Sequence, residues 1–127
     1  MKLYYATQSC SMACYIALEE AALKYTPIEV SWKRNVNVAE LAQVNPLGAV
    51  PAIVSDEGKV LTQNVAILEY IADLNPKSQL LAEQGSWERR ETLSWVSFVA
   101  ADFHKSFSPF FRLKDISASE SAQQDVK

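Results

Sequence analysis

Apolar positions in the first half of the chain follow two periods, one typical of strands and one typical of helices. Alternating apolar residues predict strands at 2–6 and 26–31, and helical spacing predicts a helix at 11–23 between them. A short helix is expected at 38–44, because Pro46 disfavours helical backbone in the residue before it. The start of the chain is therefore predicted to form a β-α-β unit followed by a helix.

The following residues predict a hairpin and a third helix. Residues 52–54 and 59–61 flank the sequence Ser-Asp-Glu-Gly, which is typical of a hairpin turn. Apolar residues at helical spacing then predict a helix at 65–74, which ends before Pro76. The order β-α-β-α-β-β-α predicts an α/β fold of the thioredoxin-like type, with a right-handed crossover that packs the first helix on the sheet.

From residue 76 onward the sequence predicts a linker and then a helix. Residues 76–86 are polar and predict a linker. Residues 87–111 predict one long helix, whose apolar face carries Leu93, Val96, Ala100 and Phe103. We therefore predict two domains, a thioredoxin-like domain at 1–78 and the start of an all-α domain at 79–127.

Composition and charge narrow the class of protein. The chain has 127 residues, 49% of them hydrophobic, which is enough for a compact core, and its net charge of -3 favours neither nucleic acid nor an anionic membrane as a partner. No apolar run is long enough to span a bilayer, and the N-terminus has a strand pattern and not that of a signal peptide. A cytoplasmic location is expected.

The two cysteines do not predict a metal site. Cys10 and Cys14 are four residues apart, so they do not form the Cys-x-x-Cys redox motif, and the sequence has no second cysteine pair for a zinc site. We expect Cys14 to act as a small buried hydrophobic residue.

Pro51 marks the first candidate binding feature. It begins a short apolar run, where a residue without a backbone N–H suits the first position of a strand or a cis turn. A cis Val50-Pro51 bond would turn the N–H and C=O groups of Val50 outward. An extended peptide could then pair with Val50 as an added strand, so this segment predicts binding through the main chain.

Two predicted helix N-termini add polar chemistry. Asn64 is predicted to be the N-cap of the third helix, whose first N–H groups favour a carboxylate, and Gln63 can supply further polar contacts. Cys10 directly precedes the first helix, and a helix N-terminus stabilises a thiolate. Together these segments predict a site for a thiol-containing peptide.

These segments, in this order, resemble the glutathione transferase family. The resemblance rests on Asn-Pro-Leu-Gly-Ala-Val-Pro at 45–51, Gln-Asn-Val-Ala-Ile at 63–67 and the early Cys10. The opening Met-Lys-Leu-Tyr-Tyr with Ser-Cys-Ser at 9–11 is similar to the bacterial beta class. Ala-Asp-Phe-His-Lys at 101–105 is similar to the beta-class stretch that carries an active-site histidine. The resemblance implies glutathione as co-substrate, an electrophilic second substrate, no metal and a homodimer.

The resemblance also implies roles for individual residues. Cys10 would stabilise the bound thiolate or form a mixed disulfide, and His104 would hydrogen-bond or protonate near the thiol. On an α-helix, Ser97, Ala101 and His104 would share one face. In the beta class an asparagine stands where Ser97 is, and an acidic residue where Gln63 is. The implied glutathione-binding residues are Val50, Pro51, Gln63, Asn64, Ser97 and, in the loop after the second strand, Lys33 beside Arg34.

Two functions follow as hypotheses. The first is a glutathione transferase that joins glutathione to small soft electrophiles, exchanges disulfides through Cys10, or does both. The second is a non-catalytic binding or regulatory module, or a truncated inactive homologue, because the family's second domain is a bundle of several helices and 79–127 would be an incomplete one. Exposed aromatic residues on the last helix would be explained by dimerisation or by a truncated chain.

Overall fold

A computed structural model describes residues 1–111 of the chain. Its first part contains four strands and three helices, in the predicted order. The strands are β1 (Lys2–Tyr5), β2 (Thr26–Glu29), β3 (Ala52–Val54) and β4 (Val60–Thr62). The helices are α1 (Met12–Glu20), α2 (Val38–Val44) and α3 (Asn64–Leu74), and a 3-10 turn follows at Pro76–Ser78.

The strands form one mixed sheet in the order β2-β1-β3-β4. Strand β1 is parallel to β2, with Lys2 opposite Thr26, and antiparallel to β3, with Tyr4 opposite Ala52. Strand β4 pairs with β3 as an antiparallel hairpin. The predicted thioredoxin-like α/β fold is confirmed.

The core lies on both faces of this sheet. Neighbouring residues of a strand point to opposite faces, so Leu3 and Tyr4 enter different clusters. On one face Leu3 packs with residues of α1, of the position directly after α1, of α3 and of β3, namely Cys14, Ala17, Leu18, Ala21, Ile53, Ile67 and Ile71. On the other face Tyr4 packs with Val30, Ala52 and Leu41 of α2. Burying each large apolar side chain stabilises the fold by about 1.5–3 kcal/mol.

A buried arginine joins α3 to the next helix. The Arg89 guanidinium donates to Glu69 at 2.8 Å and to Asp73 at 2.9 Å, both on α3, and to the carbonyl of Ala82 at 3.1 Å. Its exposed fraction is only 6%. Because one guanidinium binds two carboxylates and a carbonyl, it fixes the start of the following helix against α3.

The chain divides into two compact units, Met1–Thr92 and Leu93–Lys127. The boundary falls inside helix α4 (Trp87–Phe98), and in the second unit the π-helical segment Val99–Phe103 follows. Helices α5 (His104–Ser106) and α6 (Ser108–Phe111) complete the described residues. The predicted domain boundary at residue 78 stays a prediction, and residues 112–127 of the predicted second domain lie outside the described part of the chain.

The prediction of one continuous helix over 87–111 is wrong. The helix widens to π-helical geometry in its middle and is interrupted at Phe107, whose N–H bonds to the carbonyl of His104. Pro109, one residue into α6, has no N–H to continue an α-helical ladder, which explains why the helix restarts there.

Candidate functional site

Cys10 lies in the turn that connects β1 to α1. Its side chain is half-buried, and its Sγ lies 3.9 Å from the carbonyl oxygen of Val50. A residue that follows β1 therefore meets the main chain of a segment 40 positions later. The structure thus brings Cys10 and Val50 together, as the predicted thiol-peptide site requires.

Serine hydroxyls fix the shape of this turn. The buried Ser11 hydroxyl accepts from the N–H of Ala6 at 2.9 Å and donates toward the carbonyl of Ala6 at 3.2 Å. The Ser9 hydroxyl lies 2.6 Å from that of Ser11 and also bonds to the Ala6 carbonyl. Because the turn is tied to the end of β1 on both sides of Cys10, the thiol has a defined position.

The Val50-Pro51 peptide bond is cis, as predicted from the sequence. Pro51 is buried and directly precedes β3. The turn before it is held by Asn45, whose amide donates to the carbonyl of Ala49 at 2.7 Å and accepts from the N–H of Leu47 at 3.2 Å. Gly48 closes the turn with φ at +60°, a conformation that glycine adopts without strain.

The prediction that Asn64 caps α3 is wrong. Asn64 is the first residue of the helix, and Gln63 takes the N-cap position without a side-chain capping bond. The reason is that the Asn64 side chain turns toward α1 and not back onto its own helix. It donates to the carbonyl of Cys10 at 3.1 Å and accepts from the thiol of Cys14 at 3.0 Å.

Gln63 has an unusual backbone conformation, with φ at 74° and ψ at 127°. A residue with a Cβ adopts this region only when its surroundings require it, and such residues cluster at ligand-binding positions. The Gln63 side chain is exposed, and its carbonyl starts the α3 ladder by accepting from the N–H of Ile67. The side chain is therefore available to a ligand at the start of α3.

Cys14 is fully buried, as predicted, but it also makes a polar contact. Burial, and secondarily the nearby Cys10, raise the pKa of the Cys14 thiol to about 12. The thiol thus stays neutral at pH 7 and acts as a hydrogen-bond donor to Asn64. Periodicity could not predict this contact, since the two residues are 50 positions apart.

The loop after β2 separates the two candidate basic residues. Arg34 donates to Glu29 at 2.8 Å and to the hydroxyl of Ser31 at 3.3 Å. The Lys33 side chain is exposed. Because Arg34 is already paired with a carboxylate, Lys33 is the better candidate of the two for a ligand contact.

Ser97 and His104 belong to the second unit, in which both are exposed. The prediction that they share one helix face assumes α-helical spacing between them. Residues 99–103 are π-helical, so that spacing does not hold. The roles of Ser97 and His104 stay predictions. Cys10, Val50, Pro51, Gln63 and Asn64 all lie in the first unit.

A family model described as the glutathione S-transferase N-terminal domain matches residues 1–73. The chain belongs to the glutathione S-transferase family. The matched residues include the whole four-stranded sheet and nearly all of α3. They carry Cys10, the cis Val50-Pro51 turn and the start of α3.

Individual relatives agree with this assignment. Glutathione S-transferase GstA of Escherichia coli O157:H7 is 42% identical over 114 residues, which cover 88% of this chain and 57% of GstA. The solved structure of a bacterial beta-class glutathione S-transferase from Sphingomonas chungbukensis matches with a TM-score of 0.82 at 41% identity, over 87% of this chain and 56% of that one. The resemblance to the beta class is confirmed.

A second solved structure, a sphingomonad glutathione S-transferase complexed with glutathione, matches with a TM-score of 0.83 at 38% identity. The match covers 98% of this chain and 61% of that one. The chain therefore spans little more than half the length of the relatives it matches. Within residues 1–111, no helix is long and apolar enough to cross a membrane, and no cluster of potential metal ligands is present.

Proposed function

We propose that this chain is a glutathione transferase that binds glutathione beside Cys10 and uses it against small electrophiles or in disulfide exchange. The observation that carries the proposal is the position of the Cys10 thiol, 3.9 Å from the Val50 carbonyl in the cis-proline turn. Relatives named as glutathione S-transferases support this function over that of a non-catalytic module.

The proposed binding mode uses the main chain of one segment and the start of one helix. The backbone of Val50, held by the turn before Pro51, pairs with the extended peptide. The exposed Gln63 side chain and the N–H of Asn64 receive the γ-glutamyl carboxylate at the positive end of α3. In addition to the positive end of α3, the positively charged Lys33 side chain contacts a carboxylate of the ligand.

Two reactions fit a sulfur held in this place. In conjugation, the glutathione thiolate forms a sulfur–carbon bond with the electrophile, whose leaving group departs with the bonding electrons. In exchange, the Cys10 thiolate attacks one sulfur of glutathione disulfide, so that a Cys10–glutathione disulfide forms and glutathione thiolate leaves and takes up a proton. By family resemblance, His104 serves near the thiol and Ser97 contacts glutathione.

The assembly and location belong to the same proposal. We expect a homodimer that acts on small electrophiles in the cytoplasm. Support for a dimer comes from the second unit, where Trp95, Phe98, Phe103 and Phe107 are large apolar residues that are 42–69% exposed.

The deciding experiment is a glutathione titration followed by thermal shift, with the unsubstituted chain beside Cys10→Ala, under reducing conditions. Binding should stabilise the fold by about 2.7 kcal/mol at a hundredfold excess over the dissociation constant. With glutathione disulfide, mass spectrometry should find a single adduct that Cys10→Ala abolishes. A folded chain that shows neither stabilisation nor adduct would refute the proposal, and an adduct that persists in Cys10→Ala would refute the role of Cys10.

A further inference from the structure

The carbonyl group of Cys10 has two hydrogen-bond donors. One is the N–H of Ala13, at 3.2 Å, within the turn that begins α1. The other is the amide of Asn64, at 3.1 Å, which comes from a different helix. A carbonyl oxygen has two lone pairs, so both are used, and the plane of the peptide after Cys10 is fixed from two directions.

Chemistry determines which way the Asn64 amide points. Its NH2 group must face the Cys10 carbonyl, because that oxygen can only accept a hydrogen bond. Its oxygen then faces the neutral thiol of Cys14, which donates at 3.0 Å. The reversed amide would place two oxygens against each other. The Cys10 carbonyl therefore sets the orientation of the Asn64 amide, and the Cys14 thiol supplies the donor that its oxygen then requires.

We propose that the side chain of Asn64 is a positioning residue for Cys10, and that the buried thiol of Cys14 supports it by donating a hydrogen bond to its amide oxygen. The inference rests on the proposed function of Cys10. The peptide group after Cys10 can rotate less when its carbonyl accepts two hydrogen bonds than when it accepts one. The direction of the Cys10 side chain toward Val50 therefore depends on the hydrogen bond from Asn64.

A second asparagine provides a matched control. The Asn75 amide donates to the carbonyl of Ala21 at 2.9 Å, and both residues directly follow the ends of their helices, α3 and α1. Asn64 and Asn75 thus make the same kind of bond between the same two helices at opposite ends. Only the bond of Asn64 reaches the turn that carries Cys10.

The test compares the rate at which Cys10 forms its mixed disulfide with glutathione disulfide, followed by quenched mass spectrometry. Asn64→Ala should slow this exchange about tenfold, and Asn64→Asp, which can accept from Cys14 but repels the Cys10 carbonyl when ionised, should slow it as much. Asn75→Ala should lower thermal stability without slowing exchange. Binding of S-methylglutathione should persist in Asn75→Ala, and the exchange rates of the Asn64 variants are compared at saturating glutathione disulfide, so that weaker binding is not counted as lost positioning.

Two outcomes separate this inference from the proposed function. If the unsubstituted chain forms no mixed disulfide at Cys10, the exchange activity and this inference both fail. If it does, and Asn64→Ala reacts at the same rate or Asn75→Ala slows the reaction equally, this inference alone is overturned.

A further pair of variants tests the role of Cys14 even if the Asn64 variants do not fold. Cys14→Ser retains a donor to the Asn64 oxygen and should retain exchange, whereas Cys14→Ala removes the donor and should slow exchange. The carbonyl-carbon NMR shift of Cys10 reports the Asn64 contact without glutathione, and it should move in Cys14→Ala but not in Asn75→Ala. An unmoved shift together with an unchanged rate would refute the role of Cys14.

Discussion

Gln63 combines backbone strain with a position at the proposed ligand site. Glycine adopts a positive φ without strain, so Gln63→Gly should raise the free energy of unfolding by about 1 kcal/mol while it weakens glutathione binding through loss of the side chain. Urea unfolding and ligand titration measure the two effects. In Gln63→Ala the strain remains, so weaker binding without added stability is expected there, and a stability gain in that variant would contradict the argument.

Tyr4 should make the free energy of unfolding fall at alkaline pH. Burial, and then its 2.6 Å hydrogen bond to Glu40, raise the pKa of the Tyr4 phenol from 10.0 to about 12. A raised pKa means that the contribution of Tyr4 is complete below the unfolded-state pKa near 10 and is lost as the pH rises through 12.

Tyr4→Phe should therefore lower the free energy of unfolding by about 1 kcal/mol at pH 8, where the hydrogen bond is intact. The difference between the two proteins should shrink between pH 10 and pH 12, because only the unsubstituted chain has a Tyr4 proton to lose. Urea unfolding at pH 8 and pH 11 measures both quantities. Tyr25, whose pKa burial also raises, is present in both proteins, so its effect cancels. A constant difference across this range would contradict the assignment.

At the scale of elements, Arg89 joins helix α4 to α3 through two carboxylates. Arg89→Ala should lower the unfolding temperature, because it removes three hydrogen bonds and leaves Glu69 and Asp73 facing each other. The adjacent Arg90 is exposed and provides the matched control, since Arg90→Ala should leave the temperature nearly unchanged. Thermal unfolding followed by circular dichroism measures the unfolding temperatures, and equal effects of both variants would refute the role of Arg89.

The elements that were predicted well are those whose signal is local. The break before Pro46 predicted a helix at 38–44, the bounds that α2 has, and the Ser-Asp-Glu-Gly turn predicted the hairpin of β3 and β4. A cis turn was one of the two positions that suited Pro51, and the structure has a cis bond there. In these cases the residues that determine the structure are neighbours in sequence.

The features that were missed depend on contacts between distant segments. The Asn64 side chain leaves its own helix for α1 because Cys10 and Cys14 offer it an acceptor and a donor, and nothing near residue 64 indicates this. The π-helical segment at 99–103 was hidden for another reason, because its composition fits an ordinary helix. Interactions across the fold therefore override local preference at the candidate site.

At the scale of the whole molecule, the six candidate residues from Cys10 to Asn64 lie in one unit, and the exposed aromatic residues lie mainly in the other. If those aromatic residues form a dimer interface, replacing Trp95 and Phe98 with serine should convert a dimer to a monomer, because it removes the edge-to-face pair whose rings lie 6.0 Å apart. Light scattering measures the mass. A monomeric unsubstituted chain would refute the proposed homodimer.

The two asparagine contacts between α1 and α3 also show how the dipoles of these two helices are arranged. They join start to start and end to end, so the two helices run in the same direction. Each helix start carries about half a positive charge, and these two starts add up at one edge of the domain to about one charge. Packing thus holds together two like poles that would otherwise repel each other. A negative charge on a bound peptide at that edge would be attracted to both helix starts and would offset their mutual repulsion. The parallel arrangement therefore lowers the stability of the unliganded domain but would raise its affinity for an anionic ligand.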